Sequence, residues 1–178
     1  YMTHPEAWTY HLPEGMTTLE GALVEPAAVG MHAAVLGGAQ LGKSIVILGG
    51  GTIGLMTLQA CVSLGATDIT VVDVIEKRLE LAKKLGATRV INGKEQDTVA
   101  VLRSPELYGD HGVDLVFEAA GAVFTAQQAV QIVARGGKIV MVGTQSKPVP
   151  IDFLKINREV TIQTSFRYCN NFPQTIEA

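Results

Sequence analysis

The chain runs Ile45-Val46-Ile47-Leu48, then Gly49-Gly50-Gly51-Thr52-Ile53-Gly54, then an uncharged stretch past Leu64, then Ile69-Thr70-Val71-Val72-Asp73. Few folds place three glycines at Gly-x-Gly-x-x-Gly spacing between a β-branched run and a helical one. A strand can end there, the backbone can bend sharply at Gly49, and a helix can start over the bend with Gly54 lying close on the strand it left. The bare backbone of Gly51 leaves space for a ligand. Thr52, Ile53 and Gly54 open the helix, so their N–H groups lack intrahelical partners and carry a partial positive charge. A phosphate group belongs at such a place. Asp73 follows Gly54 by 19 residues and ends the next strand. A carboxylate there accepts from ribose hydroxyls and repels a 2′-phosphate. The pattern points to a dinucleotide, NAD rather than NADP, with Ile53 facing the pyrophosphate. Methyltransferases share part of this turn-and-acid pattern and stay open as an alternative.

The rest of the chain continues the alternation. Strands are expected near 44–48, 69–73, 89–91, 113–118 and 138–142, with a sixth near 160–164. Helices are expected near 52–64, 76–85, 95–103 and 122–134, and another beyond Asn170. Leu79, Ala82 and Leu85 share one face of the second of these, with Lys77, Glu80, Lys83 and Lys84 elsewhere, as a helix covering a sheet requires. Alternation of this length implies right-handed crossovers and an α/β, doubly wound parallel sheet, the Rossmann fold. Before it, Thr17-x-x-Glu20 has capping-box spacing ahead of a helix over 18–36. Pro26 predicts a break near Val24, and Gly37-Gly38 ends the segment.

Composition narrows the function. The 178 residues carry a net charge of −3, are 47% hydrophobic and 17% charged, and show no basic stripe, so nucleic acid is not an expected partner. Residues 44–67 hold no charged side chain over 24 positions, long enough for a bilayer. Their glycines and β-prone front half favour a buried strand-turn-helix over a membrane span. Cys61 and Cys169 form neither a disulfide framework nor a metal knuckle, which fits a reducing, cytoplasmic setting.

In such sheets ligands lie outside the carboxyl ends of the strands. That rule selects Asp73, the Glu118-Ala119-Ala120-Gly121 segment and Val142-Gly143-Thr144. Ala119 permits close approach, and Glu118 either faces the site or caps the following helix. Arg78, five residues beyond Asp73, can stack on adenine or stay solvated.

The residues His4-Pro5, Gly21-Ala22-Leu23-Val24-Glu25-Pro26-Ala27-Ala28-Val29-Gly30-Met31-His32-Ala33, the glycine turn, Asp73 with Arg78, and Phe166-Arg167-Tyr168-Cys169-Asn170 resemble the zinc-dependent medium-chain dehydrogenases of the sorbitol dehydrogenase branch. The resemblance implies a two-domain enzyme whose cofactor domain interrupts a catalytic domain. On that basis 1–38 is a catalytic-domain remnant with a connecting helix, 39–166 the NAD-binding domain, and 167–178 the return toward the catalytic domain. The family's cysteine and His-Glu zinc ligands find no counterpart in these residues. The resemblance also implies that Glu25 lies at the zinc, as ligand or partner of its bound water. It places Ser165, Phe166 and Arg167 beside the nicotinamide, Val142, Gly143 and Thr144 at its carboxamide, and Arg167 and Tyr168 on the hydroxyls of a polyol. A carboxylate embedded in an apolar helix needs a partner, which agrees with a special role for Glu25. The implied activity is oxidation of a secondary alcohol of a sugar alcohol to a ketose, with hydride transfer to NAD and zinc as Lewis acid. These residues alone are expected to bind NAD without turnover. A non-catalytic NAD-binding module or redox sensor is the alternative. A homo-oligomer, dimer or tetramer, is expected through the edge strand near 160–164.

Overall fold

A computed structural model of the protein describes residues 2–156 and 158–178. Six strands form one parallel sheet: β1 (Ser44–Leu48), β2 (Asp68–Asp73), β3 (Arg89–Asn92), β4 (Val113–Glu118), β5 (Val133–Met141) and β6 (Thr161–Thr164). Their order is β3-β2-β1-β4-β5-β6. The chain thus works outward on one side of β1, then returns to its other side at β4. That reversal opens a crevice at the carboxyl ends of β1 and β4, where ligands bind in open α/β sheets.

β1 shows why the sheet forms. Ile45 and Ile47 point to one face, into a core with Met31, Ala34 and Leu58. Val46 and Leu48 point to the other, into a core with Leu102, Ala129 and Ile132. All four strand residues are fully buried. A strand with helices on both faces reads as an unbroken apolar run, with the period of two hidden inside it. The uncharged 44–67 stretch is therefore a strand, a turn and the helix α2 (Thr52–Ser63), as its glycines required.

Helix α1 (Thr18–Gly37) corrects one expectation: it runs without interruption through Pro26. The capping box at its start is present, with Glu20 N donating to Thr17 Oγ1 at 3.2 Å and Thr17 N donating to the Glu20 carboxylate at 2.8 Å. A proline inside a helix costs about 3 kcal/mol through a lost bond and a clash. Packing offsets this. Ala28, Gly30, Met31 and Ala34 are buried, and a Cβ on Gly30 would collide with the backbone of Met56 and Thr57 in α2. The two helices touch backbone to backbone, an interaction that no local propensity records. By length and composition α1 could cross a membrane, but this face is part of the core.

The remaining helices are α3 (Glu76–Lys84), α4 (Thr98–Leu102), α5 (Val123–Ile132), α6 (Phe153–Ile156) and α7 (Phe172–Glu177). α4 starts later than its 95–103 pattern suggested because Asp97 caps it, accepting from Val99 N and Ala100 N at 3.0 and 3.1 Å. β5 begins at Val133, directly after α5, rather than near Lys138. Its register slips between Val113↔Val133 and Leu115↔Lys138, a bulge that Gly136 absorbs at φ 65°. The short α6 was not expected from the sequence, and the strand near 160–164 starts at Thr161.

Candidate functional site

The glycine turn is built as its spacing requires. Gly49 has φ 110°, and a Cβ there would stand 2.8 Å from Ala120 N on the neighbouring strand end. A Cβ on Gly54 would collide with the carbonyl oxygen of Gly49, so only glycine lets α2 begin this close to β1. Gly51 has nothing within 4 Å of its Cβ direction. It is also the N-cap of α2 and supplies no side chain to the first turn, where the first bond is Leu55 N to Gly51 O at 2.9 Å. Open space thus meets the free N–H groups of Thr52, Ile53 and Gly54, the arrangement that holds a diphosphate. A Cβ-free cradle of this kind fits a dinucleotide coenzyme.

Asp73 does more than its sequence position suggested. It is 8% exposed. Its Oδ2 accepts from Gly50 N at 2.7 Å, and its Oδ1 from Val74 N and Ile75 N at 2.8 and 2.9 Å. The carboxylate therefore braces the glycine turn against the end of β2. Arg78 Nη1 stands 3.4 Å from Asp73 Oδ2, with its side chain about half exposed at the rim. Gly49, Gly51, Asp73, Arg78 and Ala119 all line one cleft of about 430 Å³, mostly apolar, within the size range of small-ligand sites. The cleft continues over α4 and α5, whose contribution no local motif announced.

Glu118, expected either to face the site or to cap the following helix, takes the second role and extends it. It is fully buried at the end of β4. Oε1 accepts from Ala120 N (3.0 Å), Gly121 N (2.9 Å) and Thr125 Oγ1 (2.7 Å), while Oε2 accepts from Gln145 Nε2 (2.7 Å). Its backbone carbonyl takes Val142 N and Gly143 N, both at 2.8 Å. A Cβ on Gly143 would run into Gly121 N. One carboxylate thus ties the loop after β4 to the loop after β5, and so brings Ala119 into register with Val142, Gly143 and Thr144. The sequence signal was present: an acid closing an otherwise apolar run is buried with it and must collect donors.

The flanks are less finished. Ser165 N donates to Met141 O at 2.9 Å, and its buried Oγ has no partner among the described residues. Phe166 is 79% exposed. Arg167 has φ 53° and lies over the Phe166 ring at 5.3 Å. Tyr168 meets Phe172 edge-on at 4.8 Å, and Phe172 stacks on Tyr10 at 5.6 Å. Glu25 corrects the embedded-carboxylate argument, because it lies exposed on α1 and makes no ion pair among the described residues. No group of three or more His, Cys, Asp or Glu comes together among the described residues. A zinc ion needs about four ligands, so these residues do not form its site. Of the cysteines, Cys169 is exposed, and burial within α2 pushes the Cys61 thiol up to about 12, which leaves it inert.

Comparison with known proteins places this geometry. The zinc-binding dehydrogenase family matches residues 52–178. The chain is 62% identical to the zinc-type alcohol dehydrogenase-like protein YdjJ of Escherichia coli K12 over 178 residues, 100% of this chain and 51% of that one. It is 39% identical to a sorbitol dehydrogenase of Bacillus subtilis 168, over 99% of this chain and 50% of that one. A crystal structure from Sinorhizobium meliloti 1021, described as a zinc-binding dehydrogenase bound to NADP, superposes with a TM-score of 0.89 at 29% identity, covering 94% of this chain and 50% of that one. The chain spans about half the length of the curated relatives it matches.

Proposed function

The chain belongs to the zinc-binding dehydrogenase family, and from that premise we propose that it is the coenzyme-binding part of an NAD-dependent polyol dehydrogenase in the cytoplasm. The observation that carries this reading is the cradle at Gly49–Gly54, with open space over Gly51 and a carboxylate at Asp73. The likeness to a sorbitol dehydrogenase and to a D-xylulose reductase of Morganella morganii, 36% identical, supports a sugar alcohol or its ketose as the substrate class. In this reading 39–166 is the coenzyme domain, and 1–38 and 167–178 lead to the catalytic one.

When bound, a nicotinamide coenzyme would supply the acceptor for the hydride of the carbinol carbon, the hydroxyl proton passing to solvent. This chain's part is to place that coenzyme. The first-turn N–H groups of α2 hold the diphosphate, and Asp73 accepts from the adenosine ribose while disfavouring a 2′-phosphate. Glu118 fixes the two loops between which the nicotinamide end lies. Arg167 and Tyr168, beyond β6, donate to substrate hydroxyls. No step is assigned to zinc, whose site these residues do not form. Exposed Glu25 is free to join one completed by the rest of the protein. The unpaired outer edge of β6, with Ile162 38% exposed, is the surface through which two copies pair.

Calorimetric titration with NAD and NADP, together with turnover of the full-length protein on sorbitol, xylitol and arabinitol, tests the reading. NAD binding at least tenfold tighter than NADP, with oxidation of one polyol, is the expected result. Failure to bind either dinucleotide, or binding of S-adenosylmethionine in their place, overturns it. NAD binding with no turnover on any alcohol would favour a redox-sensing module. The S. meliloti structure makes the NADP arm informative, because Arg78 at the rim is the cation a 2′-phosphate would meet.

A further inference from the structure

Three glutamines stand close together on α5, and they are not alike. Gln127 Nε2 donates to Pro150 O at 3.3 Å, and Gln131 Nε2 to Gln127 O at 3.3 Å. Gln128 is 6% exposed and makes no side-chain hydrogen bond among the described residues, and its amide is not one of the fully enclosed unpaired groups, so it remains open to the cleft it lines. Gln128 opens onto the cleft that Gly49, Gly51 and Asp73 bound on another side. Thr98, 2% exposed, lines the same cleft, and its hydroxyl also has no partner among the described residues. Gly93 keeps the space before it clear, since a Cβ there would stand 3.2 Å from Thr98 Oγ1. Val72 and Val74 supply apolar wall, and Phe124, 66% exposed, stands at the mouth.

A slot with apolar walls and two polar side chains open to it suits a ligand with apolar faces and a polar edge. A purine is such a ligand. The amino group of adenine donates while the adjacent N7 accepts, and a carboxamide complements both at once. We propose that Gln128, assisted by Thr98, reads the base of the coenzyme and makes this protein selective for adenine. This deepens the coenzyme reading above and rests on it. Selectivity follows from chemistry alone. Hypoxanthine has the shape of adenine but presents two acceptors at that edge, so the Gln128 amide keeps one bond and leaves its oxygen unpaired.

Equilibrium titration of the full-length protein with NAD and with nicotinamide hypoxanthine dinucleotide tests this without reference to turnover. The native protein binds NAD at least fivefold tighter. Gln128→Leu, close in shape, weakens NAD about tenfold, which is about 1.4 kcal/mol, and the hypoxanthine coenzyme no more than threefold, so that the preference collapses. Equal affinity of the native protein for the two coenzymes overturns the proposal whether or not the variant folds. Equal loss for both coenzymes in Gln128→Leu also overturns it, since that marks a packing role. Absence of binding to either coenzyme would remove the coenzyme reading as well, and is thereby told apart from failure of the base-reading role alone.

Discussion

The glycine-turn end of the sheet and the flanks around Glu25 and Phe166 carry the same kind of resemblance but differ in how far this chain completes them. At the turn, Asp73 and Glu118 are buried and each collects several donors from this chain. In the flanks, Glu25 is exposed and unpaired among the described residues, Phe166 and Leu19 are 79% and 78% exposed, and Arg167 sits at a positive φ. The contrast teaches where each site gets its parts. The coenzyme cradle is assembled by residues between Gly49 and Gln145. The flanks leave polar and apolar side chains exposed to solvent.

The harshest way to break this comparison is Gly54→Ala. Its methyl group has no direction to move in, because it meets the backbone carbonyl of Gly49 rather than the end of a side chain. Destabilisation of about 3 kcal/mol is expected, with NAD affinity lost. Urea unfolding and calorimetry measure both. A stable variant that still binds NAD would mean that helix and strand are not held at this spacing. Glu118→Ala comes next. It strands the N–H groups of Ala120 and Gly121 and the Gln145 amide, while Thr125 Oγ1 keeps Ala122 O as acceptor, for a loss on the order of 2–3 kcal/mol. Glu118→Gln keeps the shape and one acceptor oxygen and should recover about half. If Glu118→Ala lowered stability but left NAD affinity intact, the two loops would not depend on the carboxylate for their placement.

Legibility followed the same division. The order strand-turn-helix-strand-acid was readable because each part obeys a local rule: a glycine where a Cβ collides, an apolar run where both faces are buried, an acid at a strand tip. Passage of α1 through Pro26 was not readable, since it depends on backbone contact between Gly30 and Met56, residues far apart in the chain. The late start of α4 could have been found from Asp97, a better N-cap than the residues before it. The donors on Glu118 come from as far as Gln145, and the unpaired amide of Gln128 is visible only once its neighbours are found to be paired elsewhere. The exposure of Glu25 escaped because an apolar helix was read as a buried one all round, whereas α1 buries one face.

Asp73→Ala sharpens the comparison at a smaller scale, because Asp73 serves both the turn and the ribose. Its removal should erode the NAD preference over NADP at least tenfold, about 1.4 kcal/mol. Part of the loss should appear as weaker binding of both coenzymes, since Gly50 N loses its acceptor. An unchanged ratio with both affinities reduced would leave Asp73 as a brace alone.

The smallest expected effect on the fold comes from Glu25→Gln, and it is the most discriminating. An exposed side chain with no ion pair among the described residues has little to lose, so stability should change by less than about 0.5 kcal/mol. NAD affinity should be unchanged, because Glu25 is not among the residues lining the coenzyme cleft. In the full-length protein, however, turnover should fall much more than affinity for either substrate, as expected of a group that acts in the reaction rather than in binding. Calorimetry, thermal unfolding and steady-state kinetics on one preparation separate these quantities. A parallel drop in stability and turnover would show that Glu25 is buried and paired in the whole protein for structural reasons. The two regions would then differ only in which residues cover them.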